Sequence, residues 1–217
     1  MRYTLLTKTL TLLLALLLPL SLYAQTGRTP LRAENGIVAS ASHIASEVGV
    51  EVLQQGGNAV DAAVATALAM AVTWPSAGNI GGGGFLVYHT AEGFVTTMDF
   101  REKAPLASTE RMFMGEDGLS NNMQHRGFLS VGVPGTVAGL YETHQKYGNL
   151  PWADLVAPSV ALARDGIPIT WALQEDFSRN LPFWEEFPSS AEVFLQEDGS
   201  LYKMGDTWIQ PDLARTM

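Results

Sequence analysis

Hydrophobic positions recur at helical spacing soon after the N-terminal region. Ala45, Val48, Gly49, Val52 and Leu53 share one face, which predicts a helix opening after Ser42, a residue able to cap it. Gly56-Gly57 ends that pattern, and Asn58 reopens it as an N-cap with Asp61 in the first turn, where the helix dipole favours an anion. Residues 59–72 (AVDAAVATALAMAV) are apolar on nearly every face, the pattern of a helix buried on all sides. Pro75 stops it. Four glycines follow, and then two short runs with strand character, 85–88 and 94–98, joined by a turn at 89–93. A brief strand is also expected at 36–40, and residues 109–122 read as a polar loop or short Met-rich helix. In SVGVPGTVAGL a strand passes into a helix, with Pro134-Gly135 as the turn and Thr136 as the expected N-cap. That helix should stop at Gly148. Another follows from Trp152 to about Ala163, with Pro158 in its middle and Gly166 and Pro168 at its end. Beyond Trp171 the periodicity weakens. Pro182 and Pro188 interrupt it, while Trp171, Phe177, Phe183, Trp184 and Phe187 suggest a helical cap over a core. Pro211 opens one further helical turn.

The first residues follow a different logic. Arg2 and Lys8 precede a nearly pure Leu/Ala/Thr/Ser run, and Leu22-Tyr23-Ala24 supplies a small residue before Gln25. This is the layout of a signal peptide over residues 1–24, cut after Ala24, and it predicts a periplasmic or secreted protein. The apolar run is about 13 residues, short of the ~20 that span a bilayer, so no stable membrane anchor is expected.

Composition narrows the classes. The 217 residues are 47% hydrophobic and 16% charged, enough for a sizeable core. A net charge of −9 opposes binding to nucleic-acid phosphates. The absence of cysteine removes disulfides, thiol nucleophiles and thiolate metal sites together. His43, His89, His125 and His144 show no ligand spacing, so no metal and no cofactor is expected. No Gly-x-Ser-x-Gly elbow occurs. The glycine run lacks the Lys-Ser/Thr of a phosphate loop and precedes a strand, so it reads as backbone that packs closely. Glu185-Glu186 and Glu197-Asp198 read as solvated loop charges.

One cluster remains. At the end of the second strand stands MDFREKAP, with Arg101 between Asp99 and Glu102. A guanidinium matches a carboxylate through two parallel N–H bonds and stays charged at any working pH. Two readings stand: a structural ion pair, or a receptor for a small anion oriented by its acidic neighbours.

The ordered series ASEVGVEVLQQGGNAVDAAVATALAM, PSAGNIGGGGF, MDFREKAP, VGVPGTVAGL and KYGNLPWADLVAPSVALARDG resembles the start of the γ-glutamyltransferase (γ-glutamyltranspeptidase) family, from about Gly36 to Met217. The resemblance implies an α+β fold, the four-layer αββα sandwich of N-terminal-nucleophile hydrolases, incomplete in this chain. It implies that residues 25–217 are the N-terminal portion of a large subunit that pairs, after autoprocessing, with its own small subunit. The intact enzyme would take the γ-glutamyl group of glutathione or related donors and pass it to water, amino acids or peptides. Its nucleophile would be an N-terminal threonine of the small subunit. Thr96-Thr97 lies inside a strand and is no substitute, so the chain alone is expected to be inactive and to be a fragment or truncated product. Arg101 matches the family arginine that binds the α-carboxylate of the glutamyl group. Two alternatives stay open: an acylase for glutaryl-type β-lactam side chains, and a non-catalytic γ-glutamyl-binding chain.

Overall fold

The computed structural model describes residues 30–217, and the expected signal peptide lies outside them. The chain divides after Asn35, and the architecture below belongs to Gly36–Met217. Residues 36–40 are irregular; among the described residues no strand pairs with them, so the strand expected there is not formed.

Helix α1 spans His43–Gln54, and Ser42 caps it by accepting the N–H of Ala45. Gly56, at φ 91°, takes the left-handed conformation that lets the chain leave the helix. Helix α2, Ala59–Thr73, begins in a capping box. The Asn58 side chain accepts the N–H groups of Val60 and Asp61, and the Asp61 carboxylate accepts that of Asn58. As its composition requires, α2 is buried along most of its length, with Val64, Ala65 and Ala69 fully covered.

Strands β1 (Phe85–His89) and β2 (Val95–Asp99) form an antiparallel hairpin, with Phe85 opposite Asp99 and His89 opposite Val95. Alternate residues point to opposite faces. Tyr88 packs on the core, while Phe85, Val87 and Val95 are exposed on the other side. Residues 104–132 make an excursion whose neck is closed by the Lys103–Val133 pair, each N–H donating to the other's carbonyl.

Helices α3 (Thr136–Tyr147) and α4 (Trp152–Asp165) follow. One expectation fails here: Gly135, not Thr136, is the N-cap of α3. Helix α4 runs through Pro158 as expected, because a proline costs one helical bond and the remaining turns are held by the burial of Leu155 and Ala163. Helix α5 (Trp171–Glu186) likewise runs through Pro182, and Pro188 opens α6 (Pro188–Phe194). Strands β3 (Ile167–Pro168) and β4 (Thr207–Trp208) pair, and α7 (Pro211–Thr216) closes the chain.

Two cores result. The first gathers α1, α2, α3 and α4 around Val48, Val52, Val64, Leu68, Leu140 and Leu155. The second is aromatic, with Phe177 edge-on to Trp184, Phe194 and Trp208. Val72, at the far end of α2, belongs to this second core, so α2 runs through both. Among the described residues no helix is long and apolar enough to cross a membrane.

Asp61 ties these parts together. It is 0% exposed, and its carboxylate also accepts the N–H groups of Asn149 and Leu150 in the α3–α4 turn. Removing it takes the shared acceptor from three partly buried backbone donors and leaves a hole at a fully buried position. Asp61→Ala should therefore destabilise the protein by about 2–4 kcal/mol, read as a fall in the urea midpoint. A midpoint within error of wild type would show that the donors find other partners.

Candidate functional site

The DFREK segment is held on two sides by backbone. Gly84 and Phe100 exchange N–H···O bonds at 3.4 and 3.0 Å, extending the hairpin ladder by one pair. On the other side, Lys103 and Val133 exchange bonds at 3.1 and 2.7 Å. Both contacts demand close approach. A Cβ on Gly83 would lie 2.7 Å from the Phe100 carbonyl oxygen and from the Glu102 nitrogen. A Cβ on Gly135 would lie 2.1 Å from that same oxygen. One on Gly139, within α3, would lie 2.2 Å from Cγ of the Phe100 ring. The glycine run thus serves the close packing expected of it.

Within this frame the Arg101 N–H donates to Asp99 Oδ1 at 2.9 Å, a local turn that sets the backbone. The Arg101 side chain donates from Nε to Glu102 Oε2 at 2.9 Å, and its guanidinium carbon lies 5.6 Å from the Phe85 ring centroid. Among the described residues no other side chain or carbonyl accepts from its two Nη groups. The Arg101 side chain is 60% exposed. It borders a groove of about 530 Å³ whose apolar wall includes Pro105, Met112, Phe113 and Leu129. The Glu102 carboxyl is held below the usual carboxylate range, first by its own backbone N–H and then by Arg101. It is therefore ionised at neutral pH and keeps its charge opposite the guanidinium.

Asp99 and Glu102 orient Arg101 as the sequence suggests, one through the main chain and one through the side chain. The close fit of Phe85, Gly135 and Gly139 to this segment is not apparent from sequence. The only signal is that VGVPGTVAGL carries glycines inside a helical pattern, where they cost stability unless something passes close by. The histidines do not converge here. His43 pairs with Glu47 on the surface of α1, and His144 is buried with Nε2 2.7 Å from the Leu150 carbonyl. No group of His, Asp or Glu suited to a metal ion occurs among the described residues.

A mixed helix-and-strand chain with a guarded surface arginine can be set against known proteins. The γ-glutamyltranspeptidase family model matches residues 45–217. A glutathione hydrolase proenzyme of Pseudomonas sp. (strain A14) is 43% identical over 198 residues, which is 88% of this chain and 33% of that protein. The crystal structure of Helicobacter pylori γ-glutamyltranspeptidase superposes with a TM-score of 0.84 at 41% identity, covering 87% of this chain and 54% of that one. A cephalosporin acylase from Bacillus halodurans superposes with a TM-score of 0.72 at 26% identity, covering 88% of this chain and 38% of that one. The fold class is thus that of the N-terminal-nucleophile hydrolases, of which the described residues supply helices, the β1–β2 hairpin and the short β3–β4 pair. The chain belongs to the γ-glutamyltranspeptidase family. It spans about a third of the length of the curated relatives it matches.

The packing at Phe100 is directly testable. On an open helix Gly→Ala stabilises by about 1 kcal/mol. At Gly139 the added methyl meets the Phe100 ring, and overpacking of this kind costs about 1–3 kcal/mol. Gly139→Ala should therefore lower the urea midpoint; a raised midpoint would mean that Phe100 has room to move.

Proposed function

We propose that this chain forms the donor-binding part of an exported enzyme that transfers the γ-glutamyl group of glutathione and related compounds to water, amino acids or peptides. Arg101 receives the α-carboxylate of the glutamyl group. The observation that carries this reading is the state of its guanidinium. Glu102 holds one edge through Nε, and among the described residues the two Nη groups have no acceptor at the rim of an open groove. An exposed ion pair contributes little to stability, so a frame of close-packed glycines is poorly explained by the Arg101–Glu102 pair alone. A ligand carboxylate bound end-on to the Nη groups explains it better.

The threonine nucleophile of such a reaction comes from the small subunit, outside these residues. The exposed face of the hairpin, with Phe85, Val87 and Val95, gives that partner an apolar surface to cover. The alternative of a glutaryl-type β-lactam acylase draws support from the cephalosporin acylase likeness, which is weaker in identity than the transpeptidase one. A glutaryl group lacks only the α-amino group of γ-glutamyl and keeps the terminal carboxylate, so Arg101 would hold it in the same way and does not separate the two readings.

Export rests on Arg2, Lys8, the Leu-rich run and Ala24. N-terminal sequencing of the secreted protein should give Gln25 first, and an N-terminus at Met1 would end that part of the proposal.

Donor discrimination tests the role of Arg101 in the assembled enzyme. Arg101→Lys keeps the charge and loses the fork, and kcat/KM for a γ-glutamyl donor should fall roughly 10- to 100-fold. Arg101→Ala should fall further, yet leave turnover of a 4-aminobutyryl donor, which keeps the amine and lacks the carboxylate, unaffected. Equal losses on both donors would assign Arg101 to the fold instead.

A further inference from the structure

We infer that Asn79 and Thr136 form a positioning latch for Arg101, acting through the glycine run between them. The inference rests on the reading that Arg101 holds the donor's α-carboxylate.

The Asn79 side-chain oxygen accepts two hydrogen bonds. One comes from the Gly82 N–H at 2.8 Å and the other from the Thr136 hydroxyl at 2.6 Å. Its amide nitrogen donates to the Ala77 carbonyl at 3.1 Å, which fixes which end of the carboxamide faces the two donors. The Gly82 carbonyl in turn accepts the N–H groups of Gly135 and Thr136 at 2.7 and 3.0 Å. Gly82 is therefore tied through both its polar groups to the first turn of α3. Its neighbours Gly83 and Gly84 are the residues that press on Phe100 and Glu102 and pair with Phe100. A shift of Gly82 moves the wall on which Arg101 sits.

Thr136 shows that the arrangement serves more than the helix. A threonine that starts a helix is expected to accept an N–H bond. This one, buried among its neighbours, donates its hydroxyl out of α3 to a residue 57 positions earlier. Neither Asn79 nor Thr136 lines the groove beside Arg101, so neither has a reason to touch a ligand. A bidentate carboxylate pair is demanding in angle. Loosening its support weakens binding of the carboxylate while leaving the chemistry of bound donor in place.

The test uses the assembled enzyme with two anilide donors, γ-glutamyl and 4-aminobutyryl (the same acyl chain without its carboxylate), and the variants Thr136→Val, Thr136→Ser and Arg101→Ala. Thr136→Val removes the hydroxyl at constant shape. It should raise KM for the γ-glutamyl donor about tenfold with kcat held within about twofold, and leave the 4-aminobutyryl donor unchanged. Thr136→Ser keeps the hydroxyl and should stay within about twofold of wild type on both donors. An unchanged KM for Thr136→Val, or an equal change on both donors, overturns the latch when Arg101→Ala is itself donor-selective. If Arg101→Ala strikes both donors alike, the reading of Arg101 has failed, and amide exchange judges the latch alone. In the chain itself, Thr136→Val should speed exchange at Gly135 and Phe100 about tenfold or more, and Thr136→Ser should not. Unchanged protection at both amides overturns the latch whatever the kinetics show.

Discussion

The contact on which the site depends is the seating of Phe100–Glu102 against bare backbone. Hydrogen bonds at Gly84–Phe100 and Lys103–Val133 grip the segment from both sides. They can form only because no Cβ stands at Gly83, Gly135 or Gly139. Side chains at these places would not merely crowd the segment. At separations of 2.1–2.7 Å from backbone or ring atoms they would displace it. The end of β2, the glycine run and the start of α3 are therefore one mechanical unit, and Arg101 projects from its centre.

That unit needs a stiff foundation, and α2 supplies it. A helix buried on nearly every side gains roughly 1.5–3 kcal/mol from each large aliphatic side chain it covers, and α2 contributes to both cores. At the helix start, the buried Asp61 accepts from Asn58, Asn149 and Leu150 together. At the other end Gln210 donates to the Val72 carbonyl at 2.9 Å and joins α7 to the same helix. The polar groups of α2 thus fix the turns around it, and the apolar ones fix the layers.

Electrostatics at Arg101 works differently. The Arg101–Glu102 pair is exposed and adds little to stability. Its effect is directional: one edge of the guanidinium is occupied, its plane lies near the Phe85 ring, and its remaining donors meet the groove. Because Glu102 stays ionised, this orientation persists at neutral pH.

Much of this was legible in the chain itself. The two N-caps Ser42 and Asn58, the buried helix, the hairpin and the glycine stop after α1 follow from side-chain chemistry within a few residues, and such local chemistry survives in any fold. Arg101 between two acids was visible for the same reason. Tertiary structure decided the rest. Residues 36–40 have strand composition but, among the described residues, no neighbour to pair with, and Pro158 and Pro182 stay helical because burial outweighs one lost hydrogen bond. Thr136 looks like a cap and instead ties α3 to Asn79. Asp61 could be read as a favourable charge at a helix start; that it also holds the α3–α4 turn, nearly ninety residues away, depends on which segments the fold brings together. Sequence determined the local elements because their causes lie within a turn or two of chain. The distant partners of Asp61, Phe100 and Thr136 were settled only by packing, since no local pattern encodes what will pass close by.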